Sequence, residues 1–335
     1  MFTSPSAASP SVEVGKRARL DIRSVRNLEF CLGISRTTLQ SSALNADSYY
    51  SPFPKPPKVR PFQKKFKPHK LRIIDNPIDP LRTIQKRIQH RLLAAIDLPF
   101  YLCGGVRGRR LQDNVAFHLG APVIVTVDIK NFFPSIHNRQ VYEVWTTLLG
   151  CSAEIGSLLT RLTTRTHYLP QGASTSTTLA NLVLLSIDRP IREACEQNGV
   201  RYSTWVDDLA FSGANARKVL PLVIRTLKTA GFDVSRNKIR IMGEGTQKVL
   251  NGVLLGTSPS VMPERIKQMR SGIHKLRSGE VPRIARKQYI SQLGASIAQI
   301  TSISPRKGLL LQTDFDIACR ESRAVRSDSD RFAFP

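Results

Sequence analysis

Residues 202–213 read YSTWVDDLAFSG. Apolar and β-prone residues flank an adjacent acidic pair, Asp207 and Asp208, so the stretch reads as two strands that reverse at the acids. Two carboxylates about 4 Å apart repel one another, and the repulsion grows as they leave water. Something cationic must hold them. One Arg or Lys would suffice structurally. A hard divalent cation suits the pair better, because Mg²⁺ prefers oxygen ligands, uses few protein carboxylates and completes its shell with substrate phosphates.

The rest of the chain leans the opposite way in charge. Its 335 residues carry 50 Lys and Arg against 25 Asp and Glu, a formal charge of +25. Such an excess self-repels unless a polyanion neutralises it, and nucleic acid is the natural partner. An anionic membrane is the other candidate, but no apolar run approaches the ~18–20 residues of a span, so no membrane partner is expected. The apolar fraction of 41% allows a real core, in one large domain or two to three smaller ones. Cys31, Cys103, Cys151, Cys195 and Cys319 are scattered without a CxxC and fit reduced thiols in a cytoplasm.

The segment 1–11 is rich in Ser, Pro and Ala and reads as disordered. Residues 25–44 read as two short helices around Gly33, with Ser35 as N-cap of the second. They form either two packed helices of an N-terminal extension or a helix-turn-helix. Residues 49–68 hold six prolines and six Lys or Arg interleaved with aromatics, which excludes a regular helix. The stretch is expected to be an extended basic loop or strand pair that touches phosphates and stacks on bases. Residues 78–96 follow helical periodicity, with Leu81, Ile84, Ile88 and Leu92 on one face. Residues 169–187 open on a Pro-Gln-Gly turn and continue as a helix with Leu179, Leu182, Val183 and Ile187 on an apolar face. The run 247–255 reads as one short β segment. Residues 263–277 read as a basic amphipathic helix with Ile266, Met269, Ile273 and Leu276 inward.

A third acid joins the pair. Residues 121–130, APVIVTVDIK, form a β-branched run that ends in Asp128, as a buried strand does when it delivers a carboxylate from its C-terminal end. Three carboxylates, two metal ions about 3.5–4 Å apart and a basic chain point to phosphoryl-transfer chemistry on nucleic acid, either nucleotidyl transfer or a nuclease.

The surrounding words narrow that choice. VDIKNFFPSI, LPQGASTSTTLANLVL and WVDDLAFS, in this order, resemble the palm motifs of bacterial reverse transcriptases, and more narrowly those of the retron family. LCGGVRGRRLQDNVAFH at 102–118 resembles the family's small-residue segment ending in Asn-Ala-x-x-His, and VLNGVLLG at 249–256 resembles its Val-Thr-Gly segment. Three departures stand out. Trp205-Val206 precede the acids where the family has Tyr-Ala, Asn251 replaces Thr, and Val115 replaces Ala.

The resemblance implies an α/β (α+β) right-hand polymerase, with fingers, a palm built on an antiparallel sheet, and a small helical thumb. The expected domains are an N-terminal extension at 1–48, fingers and palm at 49–260, and thumb and tail at 261–335. It implies RNA-directed DNA synthesis from dNTPs with two Mg²⁺ held by Asp128, Asp207 and Asp208, the Ile129 carbonyl lending an oxygen. Phe133 would exclude a 2′-OH, Gln171 and Gly172 would line the nucleotide site, Lys70 and Arg72 would clasp the triphosphate, and Lys238 would protonate the departing pyrophosphate. Asn114, His118, Asn251, Arg265, Lys267 and Arg270 are candidates for RNA contact, with bracing of the fingers as the other role for Asn114 and His118. The template would be a structured noncoding RNA primed from its own 2′-OH, giving a branched RNA–DNA hybrid (msDNA) in an anti-phage system with an effector protein. Template removal would fall to a host ribonuclease H. The rival readings are another class of bacterial reverse transcriptase and a non-catalytic RNA-binding scaffold or antitoxin.

Overall fold

The central strand of the protein is Ile124–Asp128, whose Ile124, Val125 and Val127 are at most 1% exposed. A run of β-branched residues buried on both faces belongs in the middle of a sheet rather than at its edge. The computed structural model describes residues 19–55 and 72–329. In chain order the elements are α1 (Val25–Leu32), α2 (Arg36–Leu44), β1 (Tyr50–Lys55), β2 (Arg72–Pro77), α3 (Leu81–Arg91), α4 (Leu111–Phe117), β3 (Ile124–Asp128), α5 (Phe132–Ser135), α6 (Asn138–Glu143) and α7 (Ala153–Thr163). They continue with α8 (Ser176–Ile187), α9 (Arg189–Gln197), β4 (Arg201–Trp205), β5 (Asp208–Ser212), α10 (Ala216–Thr229), β6 (Arg240–Met242), β7 (Lys248–Leu250), β8 (Val253–Leu255), β9 (Pro259–Val261), α11 (Pro263–Arg277), α12 (Arg283–Ile303) and α13 (Pro305–Ser329). No helix among the described residues is long and apolar enough to cross a membrane.

The described residues fall into two compact units. The first comprises residues 19–55, 72–114 and 121–246. Its principal sheet has the order β4-β5-β3-β6, antiparallel throughout, as the palm of a right-hand polymerase requires. A separate antiparallel pair, β1–β2, runs from Tyr50↔Pro77 to Lys55↔Arg72. The part of the expected basic loop that follows Lys55 lies outside the described residues.

Helix α9 packs on both α8 and α10 and touches β4, while α10 touches β3. Helix α8 was expected to be amphipathic, but every residue from Leu179 to Leu185 is buried. Its small residues let neighbours close in on all sides, so its polar Asn181 is buried too. Across β4 and β5, Tyr202 stacks on its register partner Phe211, ring centres 5.1 Å apart and planes within 10°. Behind them Arg192 donates to the buried Asp188 at 2.9 Å, and burial pushes that carboxyl up to about 6. Tyr101 and Tyr202 lie beside it.

The N-terminal helices form as their caps dictate. The Ser24 side chain accepts from the Asn27 amide, Ser35 accepts from Thr38, and Gly33 ends α1 at φ 62°. Arg87 donates to the carbonyls of Leu32 and Gly33, closing the C-terminal end of α1 where a cation is favoured. Buried Leu28, Leu32 and Leu39 commit both helices to the core, which favours the packed extension over a DNA reader.

The second unit comprises residues 115–120 and 247–329. The single β run expected at 247–255 is instead a hairpin, β7–β8, which β9 extends to three strands. The break is Asn251-Gly252, with φ 49° and 79°, the left-handed pair that a two-residue turn demands. Helices α11, α12 and α13 pack together, with Met269, Ile273 and Leu276 of α11 inward as expected and Ile266 only half-buried. Tyr289 of α12 fixes the pair by donating to the Gly272 carbonyl at 3.0 Å.

Replacing Phe211 by Ala removes a fully buried ring from the centre of the palm sheet. Urea denaturation should show a loss of about 3–5 kcal/mol.

Candidate active site

The sheet brings the three acids together. Asp128 ends β3, Asp208 opens β5, and the two are register partners in an antiparallel pair. Directly opposed residues project from the same face of a sheet, with Cβ atoms about 4.5–5.5 Å apart. Asp207 sits in the two-residue turn between Trp205 and its partner Asp208. Its carbonyl accepts from the Ile129 amide at 3.0 Å, which ties the turn to the end of β3. On the other side of that end, the Lys130 amide donates to the Asp233 carbonyl at 2.8 Å and the Ser235 amide to the Asp128 carbonyl at 2.9 Å. A short turn follows and delivers Lys238, whose ammonium donates to both carboxylate oxygens of Asp128 at 2.8 and 2.9 Å.

The electrostatics follow from crowding. Burial raises the Asp207 carboxyl above the usual aspartate range, and the Asp128 charge raises it further, while Arg72 and Lys238 act against both. Among the described residues no three acidic, His or Cys side chains stand close enough to hold an ion as they are placed. Asp128 is instead paired with the Lys238 ammonium. The donor set itself consists of hard carboxylate oxygens on one sheet face, short of positive charge, and this fits a divalent cation.

The turn that carries Asp207 is strained. Val206 has φ 61°, a left-handed conformation that β-branched residues avoid. The surrounding structure holds it there. The segment after Pro99 runs beside β4, with the Cys103 amide donating to the Thr204 carbonyl at 2.9 Å and the Thr204 amide to the Tyr101 carbonyl at 2.8 Å. It ends at Gly104, where a Cβ would lie 2.3 Å from the Val206 nitrogen. The buried amide of Asn181 on α8 donates to the Gly104 carbonyl at 3.0 Å and fixes this backbone against the turn. The GlyGly of 104–105 was the visible signal for a close approach, but its target was not readable.

The remaining candidates sort by place. Arg72 is exposed at the start of β2 and is felt electrostatically at Asp207. Lys70 lies outside the described residues. Of the two adjacent phenylalanines, Phe132 is 3% exposed and packs on Phe232, whereas Phe133 is half-buried. Gln171 and Gly172 sit beside β2, with the Asp75 amide donating to the Gln171 carbonyl at 2.9 Å. Asn114 and His118 are 1% and 0% exposed, so as placed neither side chain presents itself to RNA, and bracing is the role that burial favours. Asn251 is accounted for by its turn conformation. Arg265 donates to Gln299 at 2.7 Å, while Lys267 and Arg270 are exposed on α11. Sequence reasoning missed Asp75, Gly104, Arg165 and Asn181, which contact the site's supporting loops.

This constellation on an antiparallel palm sheet is that of a nucleic-acid polymerase. The reverse transcriptase (RNA-dependent DNA polymerase) family profile matches residues 54–262. The chain belongs to that family, and the relatives it resembles are bacterial retron reverse transcriptases. It is 26% identical to the retron Ec86 reverse transcriptase of Escherichia coli over 251 residues, covering 74% of this chain and 76% of that protein. It is 27% identical to the retron Mx65 enzyme of Myxococcus xanthus, covering 71% and 59%. It is 31% identical to the retron Se72 enzyme of Salmonella heidelberg, covering 66% and 58%. The chain thus spans less than two thirds of the length of the last two. Solved telomerases from Candida tropicalis and Candida albicans superpose with a TM-score of 0.43 at 11% and 10% identity, covering 90% and 82% of this chain and 64% and 59% of theirs. An RNA template partner follows from the family, whose members generally use divalent metal ions.

Gly104→Ala should cut polymerase activity at least 100-fold, because the Asp207 turn must move while the fold persists, as circular dichroism would verify. Asp207→Asn should raise the melting temperature at pH 7.5 in EDTA. The folded-state pKa of Asp207 lies above its ordinary value of 3.8, so its ionised form costs stability at neutral pH. That difference should shrink as the pH falls toward 3.8.

Proposed function

We propose that this chain copies a structured noncoding RNA into DNA, extending from a 2′-OH of the same RNA to leave a branched RNA–DNA hybrid, as part of an anti-phage retron in a bacterial cytoplasm. The observation that carries the chemistry is the register pairing of Asp128 with Asp208 beside the Asp207 turn. Asp128, Asp207 and Asp208, with the Ile129 carbonyl, would hold two Mg²⁺ ions, which would supply charge stabilisation for the displacement.

The protein's own groups do the rest. Arg72, with Lys70, binds the triphosphate and neutralises its charge. Gln171 and Gly172 form the wall beside the base and sugar, and Phe133 leaves no room for a ribose 2′-OH. Lys238 moves a proton to the departing pyrophosphate, an act worth about 10²–10⁴-fold in rate. The net charge of +25 and the exposed Lys267 and Arg270 support a phosphate-contacting surface for template and product. The proposal includes an effector protein as a further partner and a host ribonuclease H that removes the template.

Asp207→Asn with Asp208→Asn should abolish dNTP incorporation on an RNA template while RNA affinity stays within about threefold, since phosphate contacts dominate binding. Sequencing the nucleic acid that copurifies with the protein should return one noncoding RNA joined to DNA complementary to part of it. Incorporation that survives the double substitution, or copurifying RNA of no defined sequence, overturns this reading.

A further inference from the structure

Asp75 and Arg165 form an ion pair with no part in the chemistry above. Asp75 is 4% exposed, and an Arg165 Nη donates to its Oδ1. The guanidinium also lies 5.7 Å from the centre of the Tyr50 ring on β1. The Tyr50 hydroxyl accepts from the Gln85 amide at 2.8 Å, and the same amide donates to the Leu162 carbonyl of α7 at 2.9 Å. A buried pair of charges is a poor source of stability, because the desolvation cost offsets the attraction. Its use must be sought in what it joins.

Asp75 lies on β2, three residues after Arg72, on the opposite face of the strand. Arg165 begins a tight turn, closed by reciprocal amide–carbonyl bonds with Tyr168 at 2.9 and 3.0 Å. Thr166 takes φ 55° inside that turn, and its amide donates to the Asp47 carboxylate at 2.7 Å. The chain leaves the turn through Leu169 and reaches Gln171–Gly172. Strand β2 is therefore fastened to the Gln171 loop twice, by the Asp75 amide on the Gln171 carbonyl and by the Asp75 carboxylate on Arg165. The seam is close. At Gly172, with φ 135°, a Cβ would lie 2.8 Å from Ile74 and 3.0 Å from the Asp75 carbonyl.

We infer that the Asp75–Arg165 pair is a positioning clamp that sets the separation between Arg72 and the Gln171–Gly172 loop, and so the fit of the incoming deoxynucleoside triphosphate. The inference rests on the reading of Arg72 and Gln171 as nucleotide contacts. Without the carboxylate charge, Arg165 is left partly buried beside a neutral group and turns toward water. The 165–168 turn follows it, and the pocket loosens by the fraction of an ångström that weakens ground-state binding.

The test is steady-state dNTP incorporation on one fixed template and primer, with melting temperatures for every variant. Asp75→Asn should raise the KM for dNTP about tenfold with kcat within about threefold. Arg165→Gln should do the same from the other side, and Arg165→Lys, which keeps the charge, should restore most of the KM. A stability element alone would lower the active fraction, and hence kcat, without moving KM. An unchanged KM in folded Asp75→Asn or folded Arg165→Gln overturns the clamp. Arg72→Ala separates the two readings: if it leaves KM unchanged while Asp75→Asn still raises it, the role given to Arg72 fails and the clamp stands through Gln171.

Discussion

Three carboxylates at the ends of two interior strands repel one another, and the first unit is arranged around holding them there. The β3–β5 register forces Asp128 and Asp208 onto one face, and the turn adds Asp207. Hydrophobic burial fixes that register. A slip of one residue would swap Ile124, Val125 and Val127 to opposite faces and undo the close packing that leaves each at most 1% exposed. The acids are thus kept in an unfavourable place by a strand that has nowhere else to go. Lys238 and Arg72 offset part of the excess charge, and the remainder is the site's appetite for a cation.

The backbone carries a second unfavourable element at the same point. Val206 is held at a positive φ between the flanking strands and the Gly104 segment, whose own position Asn181 fixes from inside α8. Strain of this kind persists only where neighbours over-determine it. Here they do: β4 is paired on one side with β5 and beside the other with residues 101–103, and the Tyr202–Phe211 stack locks the strands behind the turn. Stability made in the rigid core is spent on a site whose geometry is preorganised for charge.

The side of the site proposed to hold the nucleotide is built differently. The β1–β2 pair and the Gln171 loop proposed to line it lie outside the main sheet, and a two-stranded pair has little core of its own. Polar links compensate, running from Gln85 through Tyr50 and Arg165 to Asp75. Polar networks specify position more than they stabilise, which suits the clamp proposed for these residues.

Local signals carried much of this. The β-branched run ending in Asp128, the alternation around Asp207–Asp208, the serine caps of the N-terminal helices and the inward residues of α11 each depend on neighbours a few positions away, so composition and period reveal them. Asn251-Gly252 was equally local and was passed over inside an apolar run. Other features were closed to such reading. Nothing near Gly104 in the chain names Val206 as the backbone it must admit, nothing near Asp75 names Arg165, 90 positions on, and nothing in a small-residue helix says that Asn181 will be buried and bonded. Those partners are chosen by which strands pair and which helices cover them. Chemistry therefore shows in the order of residues, because a carboxylate is acidic wherever it sits, whereas the support of that chemistry depends on distances that exist only once the chain has closed on itself.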